Sequence, residues 1–268
     1  FSDGSERVTD LLVGADGFRS AVRAQMLPDI RPTYSGYVVW RALAAEADLS
    51  PKVHETIFGV FGVYAPNGTQ IIGYPIAGTE NDLRPGHRRY NFVWYSAVPQ
   101  ERLTDMLTDG NGTTHAISIP PPLVREEVLA AMEEDARTRL PGPFVEMLGV
   151  SERPFFTPIY DHHSPVMAEG RVALSGDAAC VARPHVGMGV TKAAEDALAL
   201  ARHLSAGPGV ETALTAYSDE RVPASRAAHE RARLLGRYIF DGSEDENQDG
   251  RSHPKLEEIL RITASTIG

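Results

Sequence analysis

Two short apolar segments, each followed at once by glycine and aspartate, place the strongest constraint on the fold of this chain. Residues 11–13 run into Gly-Ala-Asp-Gly at 14–17, and residues 171–175 run into Gly176 and Asp177. Both segments are followed by stretches in which apolar residues recur at helical spacing. A strand, a glycine turn and a helix N-terminus are together typical of a sheet edge that binds a phosphate or a nucleotide. We therefore predict two such units, far apart in sequence.

The rest of the chain predicts a sheet and several helices. Aromatic and β-branched residues favour an antiparallel sheet of about four strands, at residues 37–43, 56–64, 70–76 and 89–98. Shorter strands are expected at residues 5–8 and 155–160, and a hairpin turn at 66–68. Helical spacing predicts a short helix capped by Ser20 and longer helices at 121–140, 191–204 and 210–240, the last bent at Pro223.

The composition argues against several classes of partner. The chain has 26 basic and 36 acidic residues and a net charge of -10, so we expect no nucleic-acid partner. Cys180 is the single cysteine, which excludes an internal disulfide and predicts a reducing, cytoplasmic location. No apolar run approaches the roughly 20 residues that cross a bilayer, so we expect no membrane partner. His162 and His163 are neighbours in an extended segment and point to opposite sides, so we expect no metal site.

The two glycine–aspartate segments resemble a known pair of motifs. Residues 14–17, followed by Ser20 and residues 22–23, resemble the first of these motifs in single-component flavoprotein hydroxylases of the para-hydroxybenzoate hydroxylase type. The second flavin motif of that family is similar to residues 176–179, Pro184, the glycines at 187 and 189, and residues 195–197. Four further stretches look like the 2,6-dihydroxypyridine 3-hydroxylase branch, at residues 33–41, 74–76, 91–95 and 183–185.

The resemblance implies a mixed α/β (α+β) fold with an incomplete Rossmann-like flavin-binding domain, an antiparallel-sheet substrate domain and C-terminal helices. We assign the FAD-binding domain to residues 1–30 and 154–240, and the substrate domain, with its helix near 121–140, to residues 31–153. Residues 241–268 are expected to form an acidic loop and a short terminal helix. The glycine fingerprint that the family carries at its N-terminus is absent from these residues. We therefore expect this polypeptide to bind FAD weakly or not at all.

The resemblance also assigns the cofactor contacts. Asp16 would brace the nucleotide-binding loops, and Asp177 would accept a hydrogen bond from a ribityl or ribose hydroxyl. The helix N-terminus after the second motif would stabilise the reduced flavin ring. This assignment requires the two segments to lie together, although each alone also fits an ordinary turn. The predicted cofactor-binding residues are Asp16, Gly17, Gly176, Asp177, Ala178, Gly187, Met188, Gly189, Val190 and Thr191.

The activity implied by the resemblance is hydroxylation of a small phenolic or hydroxypyridine ring, with FAD as cofactor and NAD(P)H and O2 as co-substrates. Pro184 would present its carbonyl beside the ring. His185 would hydrogen-bond a ring oxygen or assist its deprotonation near neutral pH. Trp40, Tyr74 and Tyr95 are candidate walls of the substrate pocket, and for each of them a plain role in the core is the stronger interpretation.

Two other functions stay open. A tailoring oxygenase or halogenase of the same fold would carry the same motifs with a different substrate. A truncated, non-catalytic paralogue would bind a small aromatic molecule or a protein partner. The long helix at 210–240 fits either a dimer interface or a cover for the flavin domain, so a homodimer is a further expectation left open.

Overall fold

The computed structural model of the chain describes residues 3–66, 68–207 and 209–240. The described residues form two compact units, of which the first contains residues up to Thr33 together with Tyr160–Arg237, and the second contains Tyr34–Ile159 and the residues that follow 237. The predicted domains divided after residues 30 and 153, and the units divide after residues 33 and 159. The acidic loop and terminal helix predicted for 241–268 lie outside the described residues.

Within the described residues the chain forms nine strands and seven α-helices. The strands are β1 (Leu12–Gly14), β2 (Thr33–Ala45), β3 (Gly62–Tyr64), β4 (Thr69–Ile76), β5 (Arg89–Ala97), β6 (Phe155–His163), β7 (Ala168–Glu169), β8 (Val172–Leu174) and β9 (Cys180–Val181). The helices are α1 (Ala21–Met26), α2 (Pro51–Val53), α3 (Gln100–Met106), α4 (Glu126–Arg139), α5 (Gly142–Gly149), α6 (Gly189–Ser205) and α7 (Val210–Phe240).

A small sheet with strand order β1-β8-β7 organises the first unit. β1 and β8 are parallel, with Leu12 opposite Val172 and Gly14 opposite Leu174. Leu174 is fully buried against α6 and α7, whereas β1 lies at the edge of the sheet and leaves Leu12 and Val13 exposed. The parallel pairing brings the carboxyl ends of both strands to one edge, where open α/β sheets bind ligands.

The second unit is built on a larger sheet, in which β3, β4, β5, β2 and β6 follow one another. Side chains alternate between its two faces. Trp40 lies opposite Trp94, and both belong to the large core that α3, α4 and α5 cover. The next pair, Val39 and Tyr95, belongs to a smaller cluster on the other face, together with Ile159.

The strand predicted at 56–64 is wrong over most of its length. α2 continues into a π-helical segment, His54–Phe58, and only Gly62–Tyr64 is a strand. Ser50 caps α2 by accepting a hydrogen bond from the Val53 N–H at 3.3 Å, and Pro51 occupies a first-turn position. Val53 and Ile57, four residues apart, are both buried. Helical burial therefore overrides the β propensity of the segment.

The structure confirms some of the other predicted elements and adds helices that were not predicted. The Ser20 cap is confirmed, because its hydroxyl accepts a hydrogen bond from the Arg23 N–H at 2.8 Å. The long last helix with Pro223 inside it is also confirmed. The sequence missed α3 and α5; the prolines at 141 and 143, taken as the end of one helix, also begin the next. Residues 5–9 form no strand. No helix among the described residues is both long and apolar enough to span a membrane.

Gly73 in β4 provides a test of packing in the second unit. The ring of Tyr90, which is fully buried, lies over this glycine, and a Cβ at Gly73 would stand 2.4 Å from Tyr90 Cε1. We expect Gly73→Ala to lower the free energy of unfolding by about 1–3 kcal/mol, because the ring has to shift in a packed core. Gly59→Ala is the matched control, since nothing lies within 4 Å of its Cβ position. Urea unfolding followed by circular dichroism measures both, and equal effects would contradict the packing argument.

Candidate functional site

The carboxyl ends of β1 and β8 bring the two glycine–aspartate segments together in the first unit. The Ser175 N–H donates to the carbonyl of Gly14 at 3.0 Å. From α1, Arg23 donates through Nη1 to the carbonyl of Ala178 at 3.0 Å and through Nη2 to the carbonyl of Phe18 at 2.8 Å. The guanidinium is buried. The requirement that the two segments lie together is therefore met.

Asp16 braces the loop that follows β1. Its Oδ2 accepts hydrogen bonds from the N–H groups of Ala21, at 2.7 Å, and Val22, at 3.2 Å. Desolvation of the carboxyl opposes its charge, but hydrogen bonds from Ser20 and from the backbone of Val22 outweigh this and lower the pKa of Asp16. Gly17, with φ +75°, takes the left-handed conformation that the turn requires. The carboxylate thus fixes the start of α1.

Two charged side chains, Asp196 and Lys192, hold the peptide groups of Gly176. The Gly176 N–H donates to Asp196 Oδ2 at 3.0 Å, and Lys192 Nζ donates to the Gly176 carbonyl at 2.8 Å. Arg221 Nε donates to Asp196 Oδ1 at 2.8 Å, and its Nη2 donates to Glu195 Oε2 at 2.8 Å. Asp196 is fully buried and Lys192 is nearly so. The turn after β8 is therefore fixed from the protein side by a buried ionic cluster.

Fixing Gly176 leaves the side chain of Asp177 on the surface. Gly176 and Ala178 are buried, whereas Asp177 between them is exposed. The Gly176 backbone has φ +63°, and a Cβ there would meet the Cβ of Ala193 at 3.3 Å. A glycine is therefore needed at this position. The carboxylate of Asp177 is presented to solvent at the carboxyl end of β8.

The loop from Pro184 to the start of α6 is open. Gly187 has φ +63°, and nothing lies within 4 Å of a Cβ built at Gly187 or Gly189. α6 begins without a side-chain cap at Met188, and Val190 in its first turn is 86% exposed. Backbone N–H groups at a helix start have no partner within the helix and carry the positive end of its dipole. The first turn of α6, including Thr191, can therefore receive an anionic edge of a ligand.

A second buried ionic cluster holds the start of this loop. Arg183 Nε donates to Asp161 Oδ2 at 2.6 Å, and His229 Nε2 lies 3.4 Å from Asp161 Oδ1. Burial opposes ionisation of Asp161, but His229 and Arg183 outweigh it and hold its pKa at about 2. His185 is buried, and burial followed by the charge of Arg183 lowers its pKa to about 3. The carbonyl of the exposed Pro184 accepts a hydrogen bond from the Gly187 N–H at 3.0 Å.

The three candidate aromatic residues of the second unit do not share one surface. Trp40 packs against Phe156, with ring centroids 5.0 Å apart, in the helix-covered core. Its assignment as a wall of the same pocket as Tyr95 is therefore wrong, since alternate positions of adjacent strands face opposite sides. Tyr95 and Tyr74 point to the other face, where Tyr74 stacks on the exposed ring of Phe61 at 5.3 Å.

Comparisons with known proteins show which proteins this chain resembles. The sequence model of the FAD binding domain-like family matches residues 34–161. The 2,6-dihydroxypyridine 3-monooxygenase of Paenarthrobacter nicotinovorans is 30% identical over 99% of this chain and 66% of its own length. The solved structure of 2,6-dihydroxypyridine-3-hydroxylase from Arthrobacter nicotinovorans matches 96% of this chain and 65% of that one, with a TM-score of 0.82 and 30% identity. Over nearly its whole length this chain is therefore similar to FAD-dependent aromatic hydroxylases.

Two further known proteins are similar to this chain. A 3-amino-4-hydroxybenzoate 2-monooxygenase of Streptomyces platensis is 32% identical over 97% of this chain and 59% of its own length. Klebsiella pneumoniae HpxO, solved with FAD and uric acid, shares the fold with a TM-score of 0.69 at 21% identity, over 99% of this chain and 59% of that one. The chain thus spans between 59% and 66% of the length of these relatives.

The sequence predicted no role for several residues that hold this candidate site. The side chains that fix the two loops from the protein side are Arg23, Asp161, Lys192, Asp196 and Arg221. Of these, Arg23 and Asp196 belong to the two motifs, but the sequence assigned no role to either. One signal was available: Lys192 and Asp196 are four residues apart and share a helix face. The pairing of Asp161 with Arg183 joins residues 22 apart in the chain and follows no local pattern.

Asp196 and its neighbour Glu195 offer a matched test of the ionic cluster. Both bind Arg221, but the side chain of Asp196 is fully buried whereas that of Glu195 is 47% exposed. We expect Asp196→Ala to cost about 3–5 kcal/mol of the free energy of unfolding, because it leaves buried cations and the Gly176 N–H without their partner. Glu195→Ala should cost less than about 1 kcal/mol. Urea unfolding measures the free energy of unfolding of both variants. An effect of Asp196→Ala as small as that of Glu195→Ala would contradict the structural role of the cluster.

Proposed function

We propose that this chain contributes the flavin- and substrate-binding parts of an FAD-dependent monooxygenase, which hydroxylates a small phenolic or hydroxypyridine ring with NAD(P)H and O2. One observation carries the proposal: two segments far apart in sequence form one edge, from which Asp177 and the open first turn of α6 face outward. The hydroxypyridine and aminohydroxybenzoate relatives act on rings of this class, as their names state.

The residues at this edge fit FAD. Asp177 is an exposed carboxylate that can accept hydrogen bonds from ribityl or ribose hydroxyl groups. The loop at Gly187 and Gly189 is open enough for a flat ring to approach the backbone. The N–H groups of Val190 and Thr191 would hold the edge of the ring that becomes negative on reduction. When bound, FAD would supply the redox chemistry that activates O2.

The loop residues before α6 would orient the ring substrate. Pro184 is exposed and its carbonyl keeps one lone pair beyond the hydrogen bond from Gly187. The pKa of His185, at about 3, leaves the imidazole neutral at pH 7. A neutral imidazole with so low a pKa is a weak base, so we assign His185 a hydrogen bond to a ring oxygen in preference to deprotonation.

The second unit carries an aromatic pair of its own, formed by Tyr74 and Phe61. Tyr74 stacks on Phe61, whose side chain is 65% exposed, and such a pair presents a flat apolar surface to an aromatic ligand. Burial raises the pKa of Tyr95 to about 12, so its hydroxyl stays protonated at neutral pH.

The proposal also includes a cytoplasmic location and a homodimer. Size-exclusion chromatography with light scattering tests the homodimer.

Substrate turnover tests the proposed reaction directly. The protein made from its complete reading frame, supplied with FAD, is expected to oxidise NADH or NADPH faster when a phenol or a hydroxypyridine is added. O2 should be consumed in step, and mass spectrometry should find a product one oxygen atom heavier. Absence of any ring-dependent product across such a panel would remove the hydroxylase proposal. A halogenated product that requires chloride or bromide would support the halogenase alternative.

FAD binding tests the role of Asp177. Losing a hydrogen bond to a charged group costs about 1.5–3 kcal/mol, so Asp177→Ala is expected to raise the dissociation constant for FAD roughly 10- to 100-fold. Asp219→Ala in α7 is the matched control, because it removes the same charge from an exposed position. Flavin fluorescence titration of the protein from its complete reading frame measures both. Equal affinities of the two variants would exclude Asp177 from the cofactor site.

A further inference from the structure

Lys192 is an unusual residue for the first turn of α6. Its side chain is only 3% exposed, while its chain neighbour Thr191 is exposed. The ammonium donates to the carbonyl of Gly176 at 2.8 Å and lies 3.7 Å from Asp196 Oδ2. Burying a lysine is costly unless its charge is compensated. The compensation here comes from one carbonyl and from one carboxylate at a distance longer than a hydrogen bond.

The charges around Lys192 do not cancel within the buried cluster. Asp196 receives its short contacts from Arg221, at 2.8 Å on Oδ1, and from the Gly176 N–H, at 3.0 Å on Oδ2. Two buried cations, Lys192 and Arg221, thus face one buried carboxylate, which leaves one positive charge in excess. Glu195, the other partner of Arg221, has a side chain that is 47% exposed, so solvent screens its charge.

The excess charge lies directly behind the proposed cofactor edge. Lys192 holds the carbonyl of Gly176, and the next residue is the exposed Asp177. Charges inside a protein are screened much less than charges in solvent. The positive end of the α6 dipole adds to the field in the same place. A ligand at this edge would therefore be bound more tightly when it carries a negative charge.

We propose that Lys192 is a positioning residue with an electrostatic function: it anchors the turn at Gly176 and supplies a fixed positive charge that favours the reduced, anionic form of FAD over the oxidised form. This inference rests on the proposed flavin function of the same edge. Lys192 makes no contact with the cofactor in this role. It acts through the Gly176 peptide and through its field, and it makes reduction of the bound cofactor easier.

Three substitutions separate the charge from the hydrogen bond. Lys192→Gln removes the charge but keeps an N–H donor for the Gly176 carbonyl, Lys192→Met removes both, and Lys192→Arg keeps both. Arg202→Met is the control, because it removes one positive charge from the exposed last turn of the same helix, where Arg202 pairs with Glu220. The folded state of each variant is checked by circular dichroism.

The measurement is the dissociation constant for oxidised and for reduced FAD, the latter under anaerobic conditions, on the protein from its complete reading frame. We expect Lys192→Gln and Lys192→Met to weaken the reduced form at least about tenfold more than the oxidised form, which equals about 30 mV in the midpoint potential of a two-electron couple. Lys192→Arg should restore most of the ratio, and Arg202→Met should leave it unchanged.

The possible outcomes distinguish the two proposals. Equal weakening of both redox forms in Lys192→Gln, or no weakening, would show a purely structural lysine and overturn this inference alone. A wild-type protein that binds neither form of FAD would overturn the proposed function and this inference with it. A change in Arg202→Met as large as that in Lys192→Gln would assign the effect to overall charge and likewise overturn the role of Lys192.

Discussion

The parallel pairing of β1 with β8 is the contact on which the candidate site depends. Leu12 lies opposite Val172 and Gly14 opposite Leu174, so two glycine–aspartate turns from distant parts of the chain end at the same edge. Parallel strands need a long connection, and here the connection contains Tyr34–Ile159 of the second unit. Without this pairing, Asp16 would brace an isolated turn and Asp177 would stand alone at the end of a strand.

The sequence could predict what depends on local chemistry. Ser20 as a cap and a glycine turn at Gly176 follow from residue type and spacing, and the structure has both. The strand predicted at 56–64 is wrong because β-branched and aromatic residues also fit a buried helical turn. Ser50 and Pro51 start the helix here. Propensity is a weak guide when burial decides the conformation.

The rest of the site depends on contacts that no local pattern encodes. Arg23 reaches Ala178, 155 residues away, and Arg183 reaches Asp161 across 22 residues. The face on which Trp40 lies was fixed only by the register of β2 against β5, in which Trp40 meets Trp94. A shift of one residue would move every side chain of the strand to the opposite face. The sequence therefore could not predict the cross-strand register or the long-range contacts of Arg23 and Arg183.

The edge position of β1 affects how this chain behaves in solution. A strand at the edge of a sheet offers backbone donors and acceptors on its outer side, and β1 also exposes the apolar side chains of Leu12 and Val13. Such edges template pairing with other strands and promote aggregation. The outer side of β1 can therefore pair through main-chain hydrogen bonds with a further strand, whether of the same protein or of another molecule. If the protein forms a dimer, a variant with a charged residue in place of Val13 shows whether β1 or the long helix α7 forms the interface.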